Sequence, residues 1–282
     1  MPSLIPLLDH VVVNVHEGLD DAASRYRRLG FQLTPRGHHS LGSSNHLAIF
    51  DTDYLELLGF EAGKATTGRA DLLAEPAGLT GLVFKSADST GLHREILARG
   101  LEVEGPPREF TRPVDLPGAT GEARFRTVRL AAHLVPNGRL YFCHHFTPEL
   151  VWRGHWQVHP NGVTGVAQYV IAAADPARTI GLLSRLFGAE HVGKGAHGEL
   201  LRAGGASVVV LTPEAAARRF GASVPALIDG RDRMVALVLR TTALATARAA
   251  LAAGEIRGVE EIDGLLVVPP AEAAGVTLAF TE

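Results

Sequence analysis

The sequence predicts an α+β protein made of four copies of a β-α-β-β-β unit, grouped as two pairs. Three observations carry that prediction. A strand-like run followed by a short amphipathic helix and further strands recurs along the 282 residues. Each helical stretch closes on a glycine, at Gly30, Gly100, Gly188 and Gly254. Between the second and third copies lies TPELVWRGHWQVHPNGVTG, rich in proline, glycine and aromatic residues.

In the first copy LDHVVVNV, residues 8–15, leads to GLDDAASRYRRLG, where Leu19, Ala22, Tyr26 and Leu29 share one helical face. FQLTPRG, NHLAIFD and YLELLGF follow as strands, with the pair His38 and His39 expected in a solvated turn. The second copy runs from LTGLVFKSA through STGLHREILARG, with Leu92, Ile96 and Leu97 inward, to LEVEG, ARFRTVRLAAHLV and RLYFCHHF. Its Pro-rich middle, GPPREFTRPVDLPGATG, is expected as a loop over a pocket or an interface. In the third, GVAQYVIAAAD precedes PARTIGLLSRLFG, with Asp175 as N-cap, Pro176 in the first turn, and Ile180, Leu183 and Phe187 as the buried stripe. ELLRAG and ASVVVLTP complete it. The fourth reads RMVALVLRT, ALATARAALAAG, EEIDGLLVVPP and GVTLAFTE. Trp152 and Trp156 imply a linker that packs, and two domains are expected, residues 1–152 and 165–282.

Composition narrows the function. A formal charge of −3 offers no excess positive field for nucleic acid or an anionic membrane. No apolar run approaches the roughly 18 residues of a spanning helix, and the first residues lack the pattern of a secretory leader, so a cytoplasmic location is expected. The lone cysteine, Cys143, excludes an intrachain disulfide and a Cys-rich zinc site, and reads as a small buried hydrophobe. No phosphate-loop or dinucleotide fingerprint is present. A small-molecule substrate is the expected partner.

LDHVVVNV, GSSNHLAIF, YLELLGF and HPNG resemble the vicinal oxygen chelate superfamily, in particular its glyoxalase-like domain proteins. The resemblance implies two domains of paired units, each enclosing a cleft, with a divalent metal (Fe, Zn, Mn or Ni) held by the first and last strands. Carried onto this chain, it points to His10 and Glu56 in the first unit, which strand alternation allows to face the cleft. In the second unit Gly81 replaces a ligand and Phe142 stands where glutamate is usual. Two residues on, His144 is the remaining candidate; a bulge would exchange it with His145. The expected metal set is therefore His10, Glu56 and His144, two imidazoles and a carboxylate. Glu56 doubles as the catalytic base, and His46, Tyr54 and Phe142 are expected to line the substrate pocket.

The function implied is a metal-dependent lyase, isomerase or dioxygenase acting on a small organic molecule in the N-terminal cleft. The alternative is a non-catalytic binding protein of the bleomycin-resistance type. In the later units Gln168 and Ala236 take the place of His10, so the C-terminal half is expected to buttress the first or to mediate a homodimer.

Overall fold

The computed structural model describes residues 4–61, 70–116, 118–221 and 224–282. Its first unit is β1 (Leu8–His16), α1 (Leu19–Arg28), β2 (Gly37–His38), β3 (Ser44–Ile49) and β4 (Tyr54–Gly59). A short helix, α2 (Ala70–Ala74), leads to β5 (Gly78–Lys85), α3 (Ser89–Ala98), β6 (Arg108–Leu116), β7 (Ala119–Arg129) and β8 (Arg139–His145). The third unit is β9 (Val163–Ala172), α4 (Pro176–Phe187), β10 (Val192–Lys194), β11 (Glu199–Ala203) and β12 (Ala206–Leu211). A helix in the place of α2, α5 (Pro213–Phe220), precedes β13 (Arg233–Thr241), α6 (Leu244–Ala253), β14 (Glu260–Ile262), β15 (Leu265–Val268) and β16 (Thr277–Thr281).

The four units pair as expected. The strand orders, β2-β3-β4-β1-β5-β8-β7-β6 and β10-β11-β12-β9-β13-β16-β15-β14, are the same topology twice. In each sheet the opening strands of two units run antiparallel at the centre, β1 on β5 and β9 on β13. The first sheet curls until its edges touch, Ser40 N donating to Thr111 O at 2.9 Å.

Local chemistry accounts for the helices. The Asp175 side chain accepts from Ala177 N with Pro176 in the first turn, and Asp88 caps α3 by accepting from Thr90 N and Gly91 N. Gly254 ends α6 for a tertiary reason: a Cβ there would fall 1.8 Å from Arg28 O, so only glycine lets α6 meet the end of α1.

Alternate residues of each strand face opposite sides. One side of both sheets contributes to a single core, in which Phe187 of α4 packs on Phe84 and Phe142, ring centroids 4.6 and 5.8 Å away. The two halves are thus joined back to back. The opposite faces form two separate clusters, one per sheet. Trp152 and Trp156 pack against the first of these, as the linker's composition predicts.

Two expectations are corrected. The Pro-rich insertion is the β6–β7 hairpin rather than a loop, tolerating Pro113 because β6 is an edge strand that needs no N–H on its free side. FQLTPRG is largely irregular and joins the sheet only at Gly37–His38. Among the described residues no helix is long and apolar enough to cross a membrane.

Candidate functional site

The cleft of the first sheet begins with an irregularity in β1. Leu8 pairs with Phe84 and His10 with Val83, leaving Asp9 as an extra residue, a β-bulge. The bulge brings two neighbouring side chains to the same buried site. The Nδ1–H of His10 donates to Asp9 Oδ1 at 2.5 Å, and His145 Nε2 donates to the same oxygen at 3.0 Å. Burial opposes a charge on Asp9. The charge of His145 and the hydrogen bonds from His10 and His145 outweigh it and hold the carboxyl well below the usual carboxylate range.

With its proton fixed on Nδ1, His10 turns Nε2 into the cleft. That nitrogen lies 3.2 Å from the Tyr141 hydroxyl and 3.8 Å from Glu56 Oε2. Tyr54 stacks on the ring at 4.4 Å, nearly parallel, and fixes its plane. Glu56 is buried, its Oε1 accepting from Asn45 Nδ2 at 2.6 Å with His39 Nε2 3.7 Å away. Burial pushes the Tyr141 phenol up, the negative charge of Glu56 adding to it, so it stays protonated as a donor. Leu47, Leu58, Phe110, Phe125 and Val151 supply the cleft's apolar wall.

Of the residues expected here, His10, Glu56 and Tyr54 line this cleft together. His144, Phe142 and His46 do not. Val83 of β5 pairs with Tyr141, which puts Tyr141, Cys143 and His145 on the cleft face and Leu140, Phe142 and His144 on the other. Phe142 is in the shared core, and His144 lies against Phe146, 4.5 Å away. The place of the second unit's usual glutamate is therefore Tyr141, one residue earlier than counting from Gly138 suggests. His46 faces away from the cleft and bonds Thr34 O at 2.8 Å, and burial lowers its pKa. Its neighbour Asn45 takes the inward position.

His39, expected in solvent, has only 7% of its side chain exposed and joins the cleft, whereas His38 is exposed. Gly81 contributes nothing because Val12 occupies its space; a Cβ there would sit 2.5 Å from Val12 Cβ.

Among the described residues of the cleft, two groupings could hold a cation. His10 Nε2 and Glu56 Oε2 are spaced as two ligands of one ion, given bonds of about 2.1 Å. A carboxylate behind a histidine, as Asp9 stands behind His10, is the usual support of a metal-bound imidazole. Asp9, Cys143 and His145 also bring ligand-type atoms within 4.8 Å of one another. There Asp9 is already engaged by two imidazoles, and burial pushes the Cys143 thiol well above its ordinary range, with Asp9 and Glu56 adding to the effect. The first grouping is the better fit and opens into the cleft.

The second sheet retains the backbone of this site. By strand register Gln168 corresponds to His10, Val209 to Glu56, Ala236 to Gly81 and Ala279 to Tyr141. Even the bulge recurs, with Ala167 in the place of Asp9. Helix α5 lies over this face: Ala216 and Phe220 pack into it and Arg219 Nη2 donates to Gln168 Oε1 at 2.6 Å.

A family model described as a glyoxalase-like domain matches residues 8–187. A search of curated proteins finds no match. Among solved structures, a hypothetical protein from Staphylococcus aureus is similar over 98% of this chain and 99% of its own, at 12% identity and a TM-score of 0.65. A mutant of 4-hydroxymandelate synthase from Streptomyces coelicolor matches 96% of this chain and 78% of its own, at 14% identity and a TM-score of 0.53. A fusion of a xylose isomerase-like TIM barrel with 4-hydroxyphenylpyruvate dioxygenase matches 96% of this chain and 41% of its own, at 13% identity and a TM-score of 0.51. At such identities the likeness is one of fold. With the paired units, the central antiparallel strands and the family match over most of its length, this chain belongs to the glyoxalase-like domain family of the vicinal oxygen chelate superfamily.

Proposed function

We infer that the first cleft is the active site of a divalent-metal-dependent enzyme acting on a small oxygen-bearing organic molecule. One observation carries this reading: Asp9 presents His10 Nε2 to a cleft in which Glu56 Oε2 stands 3.8 Å away. His10 and Glu56 are the residues that would hold the ion. When bound, such an ion acts as a Lewis acid toward the substrate's oxygens.

The chain's own groups do the rest. Asp9 keeps His10 in the tautomer whose Nε2 carries a lone pair, and the stacked Tyr54 ring limits its rotation. Asn45 holds one Glu56 oxygen; the other, when not engaged by the ion, would serve as the base for a proton on carbon next to a carbonyl. The neutral Tyr141 hydroxyl donates to charge developing on a substrate oxygen. The second half buttresses the first through the shared core.

Gly81 and Tyr141, neither an anionic ligand, favour the competing reading of a non-catalytic small-molecule binder. Anaerobic loading with Fe(II), Zn(II), Mn(II) or Ni(II), followed by elemental analysis, separates the two. The expected outcome is near-stoichiometric retention of one metal, abolished by His10→Ala and weakened about 10- to 100-fold by Asp9→Asn. A native protein that retains none of the four overturns the enzyme reading in favour of the binder.

A further inference from the structure

Arg112, on β6, is only 5% exposed, yet among the described residues its guanidinium makes no hydrogen bond or ion pair. Glu56 acts on it through the field between them. A buried cation without a contacting partner is costly, and proteins ordinarily pair it. Space has been made for it: a Cβ on Gly37 would meet Arg112 Cδ at 2.5 Å and Nη1 at 2.7 Å, so the stem is laid across a glycine. Asn45 Oδ1, also buried and without a hydrogen bond, lies 2.5 Å from that same point. Arg112 lines the cleft beside Phe110, and Arg108 and Arg129 line it as well. Arg129 is committed to Glu104 at 3.1 Å.

We propose that Arg112 is the anchor for a carboxylate on the substrate, and that the substrate is a monoanionic carboxylic acid with an apolar body. The planar guanidinium fork matches a carboxylate through two parallel hydrogen bonds. Glu56 already places one negative charge in the same cleft, which disfavours a dianion such as a phosphate monoester. Phe110 and Phe125, stacked at 5.0 Å, provide the wall for the apolar body. This assignment rests on the cleft being the substrate site and does not need the metal.

Calorimetric titration of the metal-free protein with propionate, butyrate and benzoate, each against its neutral amide, tests the proposal. The native protein is expected to bind at least one acid more than tenfold tighter than its amide. Arg112→Met is expected to erase that preference, Arg112→Lys to keep part of it, and Arg124→Gln, at an exposed position outside the cleft, to leave it within about twofold. Thermal melting of Arg112→Met checks folding; replacing an unpaired buried charge with an apolar chain of similar length should not lower stability. Equal binding of all three acids and their amides by the native protein, or an undiminished preference in Arg112→Met, overturns the proposal. Metal retention by Arg112→Met is expected to match the native protein, so a failed metal reading and a failed anion reading give different results.

Discussion

The two clefts differ far more in what fills them than in how they are built. Both sheets share one strand order and one central antiparallel pair with the same two bulges, at Asp9 and Thr80 in the first and at Ala167 and Val235 in the second. In the first, the connecting helix α2 lies at the far end of β1, where Asn14 Nδ2 donates to Leu72 O at 2.8 Å, and among the described residues no helix lies over His10. In the second, α5 reaches the matching residue, and its Arg219 takes up Gln168. Where His10, Glu56 and Tyr141 face a cavity, Gln168, Val209 and Ala279 face a helix. A connecting segment can thus decide whether a barrel holds a pocket or a core. Polar chemistry persists only on the side left open.

The contrast is best broken where the halves are shared. Phe187 comes from the second half but packs on Phe84 and Phe142 of the first. Phe187→Ala should cost about 3–5 kcal/mol, read by urea denaturation, and should lower both halves in one transition. Two separated transitions would mean that the halves are stabilised independently.

A second test lies on the seam. Asp53, from the first half, accepts from Val166 N of the second at 3.0 Å, and burial raises its pKa to about 6. A raised carboxyl pKa favours the folded state when protonated. That stability is fully present below the ordinary value of 3.8 and is lost as pH rises through about 6. Asp53→Asn should therefore stabilise the protein by about 3 kcal/mol above pH 7 and by almost nothing below pH 4. A gain independent of pH would contradict this account.

The smallest effect sharpens the difference itself. Arg219→Ala removes the cover from Gln168 and should cost about 1–2 kcal/mol in a thermal melt. Metal retention in the first cleft should not change. A linked loss there would mean that the second cleft is more than a buttress.

The repeat was legible because its signals are local: an apolar stripe such as Ile180, Leu183 and Phe187, an Asp-Pro start, a glycine stop. The cleft positions of His10 and Glu56 were legible because the family resemblance names them; β1 and β4 are buried on both faces, so alternation alone does not choose them. What failed was parity on strands whose two faces are both buried. In RLYFCHHF, Phe142 and Tyr141 are equally bulky, and only the pairing of Val83 with Tyr141 decides which looks inward. One signal was available: Leu140 and Phe142 are purely apolar, as a shared core requires, whereas Tyr141, Cys143 and His145 all carry chemistry. His39 and Arg112 were hidden for another reason. Their burial depends on β2 and β6, far apart in sequence, meeting as the sheet closes.

The repeated bulge has a last consequence. Because the main chain at Ala167 and Gln168 already follows the path that Asp9 and His10 follow, the later sheet is a blank copy of the site's scaffold. An engineer wishing to write a second centre into this protein would start with aspartate, histidine and glutamate at 167, 168 and 209 and a shortened α5. The inherited backbone irregularity, the part hardest to design from nothing, is there to begin with.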